Sequence, residues 1–227
     1  MENKIIIPLD LEYSEAINIA RVLDPKICRL KVGSQLFTSI GPKIIQELDN
    51  LNFEVFLDLK FHDIPNTVYK AIKSAADLGV WMVNVHASGG MKMLEAAKRG
   101  IEGYDKPPLL IGVTVLTSLS NESLAEIGLE NIPDQVSRLG VLVKDSGLDG
   151  VVCAASDSAS IKQQFGREFL TVTPGIRPTN TDLGDQSRVS TPYDAIKNGS
   201  DYLVIGRPIT GSDNPRNALE KIYEEIS

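Results

Sequence analysis

The sequence lacks the features that mark several specialised classes of protein. No apolar run approaches the ~20 residues that a membrane-spanning helix requires, and no basic segment followed by a long apolar stretch marks a secretory signal. The only two cysteines, Cys28 and Cys153, lie in apolar runs, which favours reduced core thiols over a disulfide or a metal pair. We therefore expect a cytoplasmic protein that does not interact with a membrane.

The charge balance and the composition narrow the class of partner. A formal net charge of −7 argues against nucleic-acid binding, although locally gathered positive groups could still hold a small anion. No repeat, low-complexity segment or linker is recognisable, and 42% hydrophobic with 23% charged residues is ordinary for a globular protein. The 227 residues allow one large α/β domain or two small ones.

Short apolar runs alternate with helical patterns along the chain. The runs are mostly continuous, as expected of parallel strands that are covered on both faces. Apolar residues recur at helical spacing between them, as in Phe37, Ile40, Ile44 and Leu48. Eight strands are predicted, at 4–9, 27–32, 53–57, 80–85, 109–115, 150–154, 169–173 and 202–205. This pattern predicts an α/β fold, a single (β/α)8 TIM barrel domain spanning residues 1–227.

A doubly wound open sheet is the alternative fold. Such a sheet usually carries a glycine-rich fingerprint after its first strand, whereas here that strand runs into Pro8-Leu-Asp10. The polar residues of chemical interest also fall at predicted carboxyl ends of strands, which form one face of a barrel and would be scattered in an open sheet. These residues are Asp10, Lys31, Asp58, Lys60, Asp63, Thr117, Arg177 and Arg207.

The stretch Asp58-Leu-Lys60-Phe-His-Asp63 carries the strongest chemical signal. Residues two apart on a strand point to the same side, so Asp58 and Lys60 should share one face, with Asp63 in the loop beyond. Such clusters of opposite charge are more common at reaction centres than on solvated surfaces. The alternative interpretation of this stretch is a simple surface salt bridge. Lys31, ending the second strand, would extend the cluster into an alternating Lys–Asp–Lys–Asp array.

The ends of the seventh and eighth strands indicate an anion site. Arg177 follows the seventh strand and Gly206-Arg207 follows the eighth, and the loops at these two positions commonly bind phosphate in a TIM barrel. Glycine lets the backbone approach an anion closely, and a guanidinium supplies a planar set of donors. The polar loop 178–188 is long enough to close as a lid.

The sequence leaves more than one role open for three polar residues. Asp10 suits ligand contact and capping of the first helix about equally. Structural roles are favoured for His62 and His86, because no third ligand lies at metal-binding spacing from them.

These residues together resemble the orotidine 5′-phosphate decarboxylase family, most closely its compact bacterial form. Asp58-Leu-Lys-Phe-His-Asp-Ile-Pro-Asn-Thr67 matches that family's signature, D-x-K-x-x-D-I-x-x-T, and no functional position departs from the family pattern. The similarity covers essentially the whole chain. The resemblance implies a homodimer with shared active sites that uses neither a metal nor an organic cofactor.

The resemblance also implies a reaction, the decarboxylation of orotidine 5′-monophosphate to uridine 5′-monophosphate in de novo pyrimidine synthesis. Lys60 would protonate C6, with Asp58 near the departing carboxylate and Lys31 and Asp63 completing the array. Four residues would meet the ribose: Asp10 and Lys31 of one subunit, and Asp63 and Thr67 of the other. The remaining implied contacts are Thr117 and Ser118 to the pyrimidine, and Arg177, Gln186, Gly206 and Arg207 to the phosphate.

Two other functions remain as alternatives. A sugar-phosphate decarboxylase or aldolase of the same suprafamily would share D-x-K-x-x-D but use magnesium, whereas Ile64-Pro-Asn-Thr67 and the Gln186/Arg207 pair favour the nucleotide. A catalytically silent phosphate-binding barrel would have no use for a carboxylate beside an anionic ligand, so the intact charge array argues against it.

Overall fold

Eight short strands run parallel to one another within the described part of the chain, which comprises residues 3–129, 131–178 and 188–227 of the computed structural model. They are β1 (Ile5–Pro8), β2 (Arg29–Gly33), β3 (Val55–Phe61), β4 (Met82–His86), β5 (Leu109–Val113), β6 (Gly150–Val152), β7 (Leu170–Thr173) and β8 (Tyr202–Val204). Each strand pairs with the next in sequence, and β8 pairs with β1 to close the barrel. The predicted TIM barrel is therefore confirmed.

Helices follow the strands and pack against the sheet through their apolar residues. They are α1 (Tyr13–Val22), α2 (Ser34–Ile40), α3 (Lys43–Asp49), α4 (Pro65–Asp77), α5 (Met91–Arg99), α6 (Asn121–Glu126), α7 (Ile132–Asp145), α8 (Ser158–Phe165), α9 (Pro192–Lys197), α10 (Arg207–Thr210) and α11 (Pro215–Glu225). Among the described residues, no helix combines the length and apolar character needed to cross a membrane.

The helical segment after β2 is divided, although its apolar pattern predicts one continuous face. Phe37 and Ile40 lie on α2, whereas Ile44 and Leu48 lie on α3. Gly41 between them has a φ of 73°, a left-handed conformation that glycine adopts readily. The proline that follows has no N–H to continue the helical hydrogen bonds. The predicted face is therefore divided between two helices, which pack against the same hydrophobic cluster.

Two hydrophobic clusters distinguish the inside of the barrel from its outside. Ile5 and Ile7 belong to the larger cluster, between the sheet and the helices, whereas Ile6 belongs to the smaller one, as the alternation of a strand requires. The smaller cluster consists of Ile6, Phe56, Met82, Ile111, Val172, Tyr202 and Val204. These side chains fill the barrel interior, so the barrel is a packed core rather than a pore.

Aromatic and cationic groups pack together at the amino-terminal end of the barrel. The guanidinium carbon of Arg29 lies 4.1 Å from the ring centroid of Trp81, and the Trp81 ring meets that of Tyr202 edge-on at 5.1 Å. Trp81 is half-buried and packs through these contacts against the interior cluster.

Candidate active site

A cavity of about 810 Å³ opens among the carboxyl ends of the strands. Phe56 and Val172 of the interior cluster contribute apolar surface to it. Most polar residues predicted for the site also line it: Asp10, Lys31, Asp58, Lys60, Thr117, Ser118, Arg177, Gly206 and Arg207. The barrel thus gathers residues that follow or end six different strands into one chamber.

A chain of ion pairs crosses one side of this chamber. Lys31 Nζ lies 3.0 Å from Asp10 Oδ1 and 3.2 Å from Asp58 Oδ2, and Lys60 Nζ lies 2.6 Å from Asp58 Oδ1. Lys31 and Asp58 are each only 7% exposed, whereas about a third of the Lys60 side chain is accessible. The predicted grouping of Lys31, Asp58 and Lys60 is therefore present. Lys60 is the most accessible of these three residues.

The ion pairs keep the buried groups charged. Burial alone would raise the pKa of Asp58, but Lys31 and Lys60 outweigh it and hold that pKa below its ordinary value. Burial alone would lower the pKa of Lys31, but Asp58 and Asp10 outweigh it and hold that pKa above its ordinary value. At neutral pH the site therefore holds a buried carboxylate between two ammonium groups.

Asp10 contacts the charge array rather than capping the first helix. The N-cap of α1 is Glu12, and the Asp10 carboxylate instead accepts a hydrogen bond from Lys31 Nζ. A Cβ at Gly33 would lie 2.8 Å from Asp10 Oδ1 and 3.1 Å from Lys31 Nζ. Glycine at the end of β2 therefore leaves room for this ion pair.

Lys60 reaches the site from an irregular part of β3. Between Leu57 and Phe61 the pairing with β4 shifts, because β3 advances four residues while β4 advances two, from Val83 to Val85. Lys60 has a φ of 50°, in the left-handed region that residues other than glycine rarely occupy. The predicted strand ended at Leu57; the observed one continues through this bulge to Phe61.

Asn84 on β4 faces the bulge, and sequence reasoning missed it. Its Oδ1 accepts a hydrogen bond from the Lys60 backbone N–H at 2.8 Å, and its Nδ2 donates one to Asp58 Oδ1 at 2.7 Å. Asn84 is fully buried. An amide within the otherwise apolar run Met82-Val-Asn-Val85 was the available signal, since buried polar groups require partners.

Two residues of the signature lie outside this cavity. Asp63 is exposed, and its Oδ1 accepts a hydrogen bond from the Ile64 N–H at 2.6 Å. Thr67, in the first turn of α4, is also exposed, and neither residue lines the cavity. The fold therefore separates Asp63 from the Asp58 and Lys60 side chains, instead of packing all three as the hexapeptide alone suggested.

The ends of β7 and β8 bring two arginines to the same cavity. Arg177 is buried, and its backbone N–H donates to the Ser190 carbonyl at 2.9 Å. Gly206 precedes Arg207, the first residue of the short helix α10, and a Cβ at Gly206 would lie 3.1 Å from Pro8 Cγ. The predicted pair of guanidinium groups thus lines one chamber. Gln186, predicted to act with them, lies outside the described residues.

The segment after β5 adds neutral polar groups. Thr117 is buried and Ser118 is exposed, and both line the cavity. They lie beyond Val113, where β5 ends two residues earlier than predicted. Hydroxyl groups both donate and accept hydrogen bonds, so these two residues can contact a ligand that carries both donors and acceptors.

His62 and His86 form a pair beside the site. Their ring centroids lie 5.6 Å apart. Burial lowers the pKa of His86, and the neighbouring His62 and Lys60 lower it further, so its ring is neutral at neutral pH. Within residues 3–129, 131–178 and 188–227, no three His, Cys, Asp or Glu side chains are grouped closely enough to hold a metal ion.

Comparison with known proteins gives a consistent match over the length of the chain. Residues 3–222 match the model of the family described as orotidine 5′-phosphate decarboxylase / HUMPS. The chain is 54% identical over 224 residues to an orotidine 5′-phosphate decarboxylase of Aliivibrio fischeri (strain MJ11), covering 97% of this chain and 96% of that protein. It is 55% identical over 229 residues to the Haemophilus influenzae (strain 86-028NP) enzyme of the same name, covering all of both chains.

Solved structures give the same result. The crystal structure of orotidine 5′-phosphate decarboxylase from Lactobacillus acidophilus superposes with a TM-score of 0.87 at 38% identity, over the full length of both chains. The crystal structure of the Pyrococcus horikoshii OT3 enzyme of that name superposes with a TM-score of 0.79 at 27% identity, covering 98% of each chain. This chain therefore belongs to the orotidine 5′-phosphate decarboxylase / HUMPS family.

Proposed function

We propose that this protein is a carboxy-lyase that converts orotidine 5′-monophosphate to uridine 5′-monophosphate, the last step of de novo pyrimidine synthesis, in the cytoplasm. The observation that carries the proposal is the Lys31–Asp58–Lys60 array in a chamber that Arg177 and Arg207 also line. One part of the chamber suits a reacting carboxylate beside a proton donor. The other suits the phosphate of the same substrate.

The chemical step follows from the positions of Lys60 and Asp58. As the C6–carboxylate bond breaks, its electron pair remains on C6 and CO₂ departs. The Lys60 ammonium stabilises that negative charge and then transfers a proton to C6. Asp58 pairs with Lys60 through one oxygen and with Lys31 through the other, and it lies beside the departing carboxylate.

The rest of the chamber positions the nucleotide. Arg177, Gly206, Arg207 and Gln186 bind the phosphate, and Thr117 and Ser118 contact the pyrimidine edge. Asp10 and Lys31 bind ribose hydroxyls. Binding energy from the remote phosphate can serve to order the site around the reacting carbon, which raises the rate of the chemical step.

The proposed enzyme is a homodimer in which each site is shared. Asp63 and Thr67 are exposed and do not line their own chain's cavity, and Ile64 between them is 67% exposed. An exposed isoleucine flanked by residues of the signature is what a subunit interface would cover. In the proposed dimer, Asp63 and Thr67 therefore reach the ribose and the charge array of the neighbouring site.

A direct assay tests the proposed reaction against the magnesium-dependent alternative within the same suprafamily. Purified protein, exhaustively treated with a chelator, is expected to release CO₂ from orotidine 5′-monophosphate and to form uridine 5′-monophosphate. A matched reaction with a keto-gulonate phosphate, with and without magnesium, should give no product. Activity that vanishes on chelation and returns with magnesium would support the sugar-phosphate reaction instead.

A further inference from the structure

The bulge in β3 leaves the backbone of Lys60 without a regular ladder partner on β4. Leu57 pairs with Val83 and Phe61 pairs with Val85, so the three residues between them face the single residue Asn84. The Lys60 N–H is instead satisfied by the Asn84 side chain at 2.8 Å. A side-chain amide thus replaces the backbone carbonyl that a regular strand would supply.

The conformation of Lys60 requires such support. A φ of 50° is strained for a residue with a Cβ, and it persists only where the surroundings fix it. The backbone at this residue sets the direction from which the side chain leaves the strand. A change of φ would therefore move the ammonium group away from Asp58 and from the cavity.

Asn84 also helps to fix the carboxylate that Lys60 contacts. Asp58 Oδ1 accepts from Lys60 Nζ at 2.6 Å and from Asn84 Nδ2 at 2.7 Å, while its Oδ2 faces Lys31 Nζ at 3.2 Å. Three donors on β2, β3 and β4 therefore hold one carboxylate. Asn84 is the only neutral donor of the three, so it orients the group without adding charge.

We propose that Asn84 is a positioning residue, which fixes the Lys60 backbone with its carbonyl and the Asp58 carboxylate with its amide, and thereby aims the Lys60 ammonium at the reacting carbon. Asn84 does not line the cavity, so it acts through Lys60 and Asp58 rather than on the substrate. The part that concerns the reacting carbon rests on the proposed function; the part that concerns the Lys60 backbone does not.

Substitution of Asn84 separates positioning from binding. Asn84→Ala removes both hydrogen bonds, and we expect kcat to fall at least tenfold while KM and the affinity for uridine 5′-monophosphate change less than threefold. Thr114→Val is the matched control, since Thr114 is a buried barrel residue whose hydroxyl donates to the Val152 carbonyl at 2.8 Å. In this variant the Val152 carbonyl still accepts a hydrogen bond from the backbone N–H of residue 114. The control should therefore retain kcat within threefold.

Amide hydrogen exchange measures the same support without any substrate. The Lys60 N–H should be protected in the wild-type protein and should exchange at least tenfold faster in Asn84→Ala. Asn84→Leu is close to asparagine in size and also removes both hydrogen bonds, but it adds no charge and leaves little cavity, so it should show the same fall in kcat and the same faster exchange of the Lys60 N–H. It also serves as the informative variant if Asn84→Ala fails to fold.

The outcomes distinguish this inference from the proposed function. Asn84→Ala with kcat within threefold of wild type, or with undiminished protection of the Lys60 amide, would overturn the positioning role. Losses in kcat and in nucleotide affinity of equal size, or an equal loss in Thr114→Val, would indicate general loosening and would overturn it as well. A wild-type protein that fails to decarboxylate orotidine 5′-monophosphate would refute the proposed function, while the exchange measurement would still decide whether Asn84 holds Lys60.

Discussion

Lys31 and Lys60 approach opposite oxygens of the same buried carboxylate, at 3.2 Å from Asp58 Oδ2 and 2.6 Å from Asp58 Oδ1. The two lysines differ in exposure: the Lys31 side chain is 9% accessible and that of Lys60 is 34%. Lys31 therefore serves to compensate the charge of Asp58 inside the protein. Lys60 remains available to a ligand in the cavity.

Removal of Lys31 should destabilise the protein. Lys31→Met leaves Asp58 buried with one counter-charge instead of two, and breaking a buried ion pair from one side typically costs about 3 kcal/mol or more. The measurement is the free energy of unfolding from urea titration at pH 7. Lys43→Met is the matched control, because Lys43 also pairs with a carboxylate, Glu47, but lies exposed. A control that loses as much stability as Lys31→Met would contradict this account.

The depressed pKa of Asp58 predicts a specific acid sensitivity. A carboxyl group whose pKa is lower in the folded than in the unfolded protein adds stability above its unfolded pKa, near 3.8, and loses it as pH falls through the folded pKa. The stability difference between wild type and Asp58→Asn should therefore be largest at neutral pH and should shrink below about pH 4. Asp213→Asn, which alters an exposed aspartate, should follow the wild-type curve. A difference that is the same at pH 7 and at pH 2.5 would be contrary to the prediction.

Much of the fold and most of the candidate site could be predicted from local sequence. Continuous apolar runs indicated parallel strands covered on both faces, and the polar residues that follow them had to meet at one end of a barrel. This reasoning correctly grouped Asp10, Lys31, Asp58, Lys60 and Arg207 in one cavity. The single-domain organisation, the functional roles of these residues and the dimer stay predictions.

The features that sequence reasoning missed depend on contacts between distant segments. In the β3 bulge the Lys60 N–H donates to the side chain of Asn84, 24 residues away, and no pattern within β3 reveals that contact. The outward position of Asp63 depends on the backbone path from the bulge into α4, whereas the hexapeptide shows only that its charges are close in sequence. The break between α2 and α3 had a local signal, Gly41 and the following proline, which the apolar periodicity obscured.

Arg207 should matter for the phosphate and little for the rest of the substrate. Arg207→Ala removes a charge-assisted contact, and such losses typically cost a few kcal/mol. The expected result is a large fall in kcat/KM for orotidine 5′-monophosphate and a small one for the phosphate-free nucleoside. Arg216→Ala, in which an exposed arginine of α11 is truncated, is the control and should change neither value. Equal losses on both substrates would mean that Arg207 is structural.

A shared site predicts recovery of activity when two inactive chains are mixed. In a dimer of one Lys60→Ala chain and one Asp63→Ala chain, one site carries both lesions and the other carries none. Random reassortment makes half of the dimers mixed, so about a quarter of all sites should recover. The experiment is to unfold, mix and refold the two variants and then to measure decarboxylation.

The control for this experiment mixes Lys60→Ala with Asp58→Asn. Both of these residues line the cavity of their own chain, so every site in the mixed dimer carries a lesion and no recovery is expected. If the Lys60→Ala and Asp63→Ala mixture stays as inactive as its parents despite verified subunit exchange, Asp63 must act within its own chain.

The central claim, that Lys60 supplies the proton at C6, is tested most directly by Lys60→Ala in single-turnover decarboxylation, measured alongside the affinity for uridine 5′-monophosphate. Turnover should fall by many orders of magnitude while product affinity falls far less, because the proton donor is lost but the phosphate-binding residues remain. Lys221→Ala, an exposed lysine of α11, should match wild type in both measurements. A Lys60→Ala variant that turns over within about tenfold of wild type, a difference of only ~1.4 kcal/mol in the barrier, would contradict the proposed role.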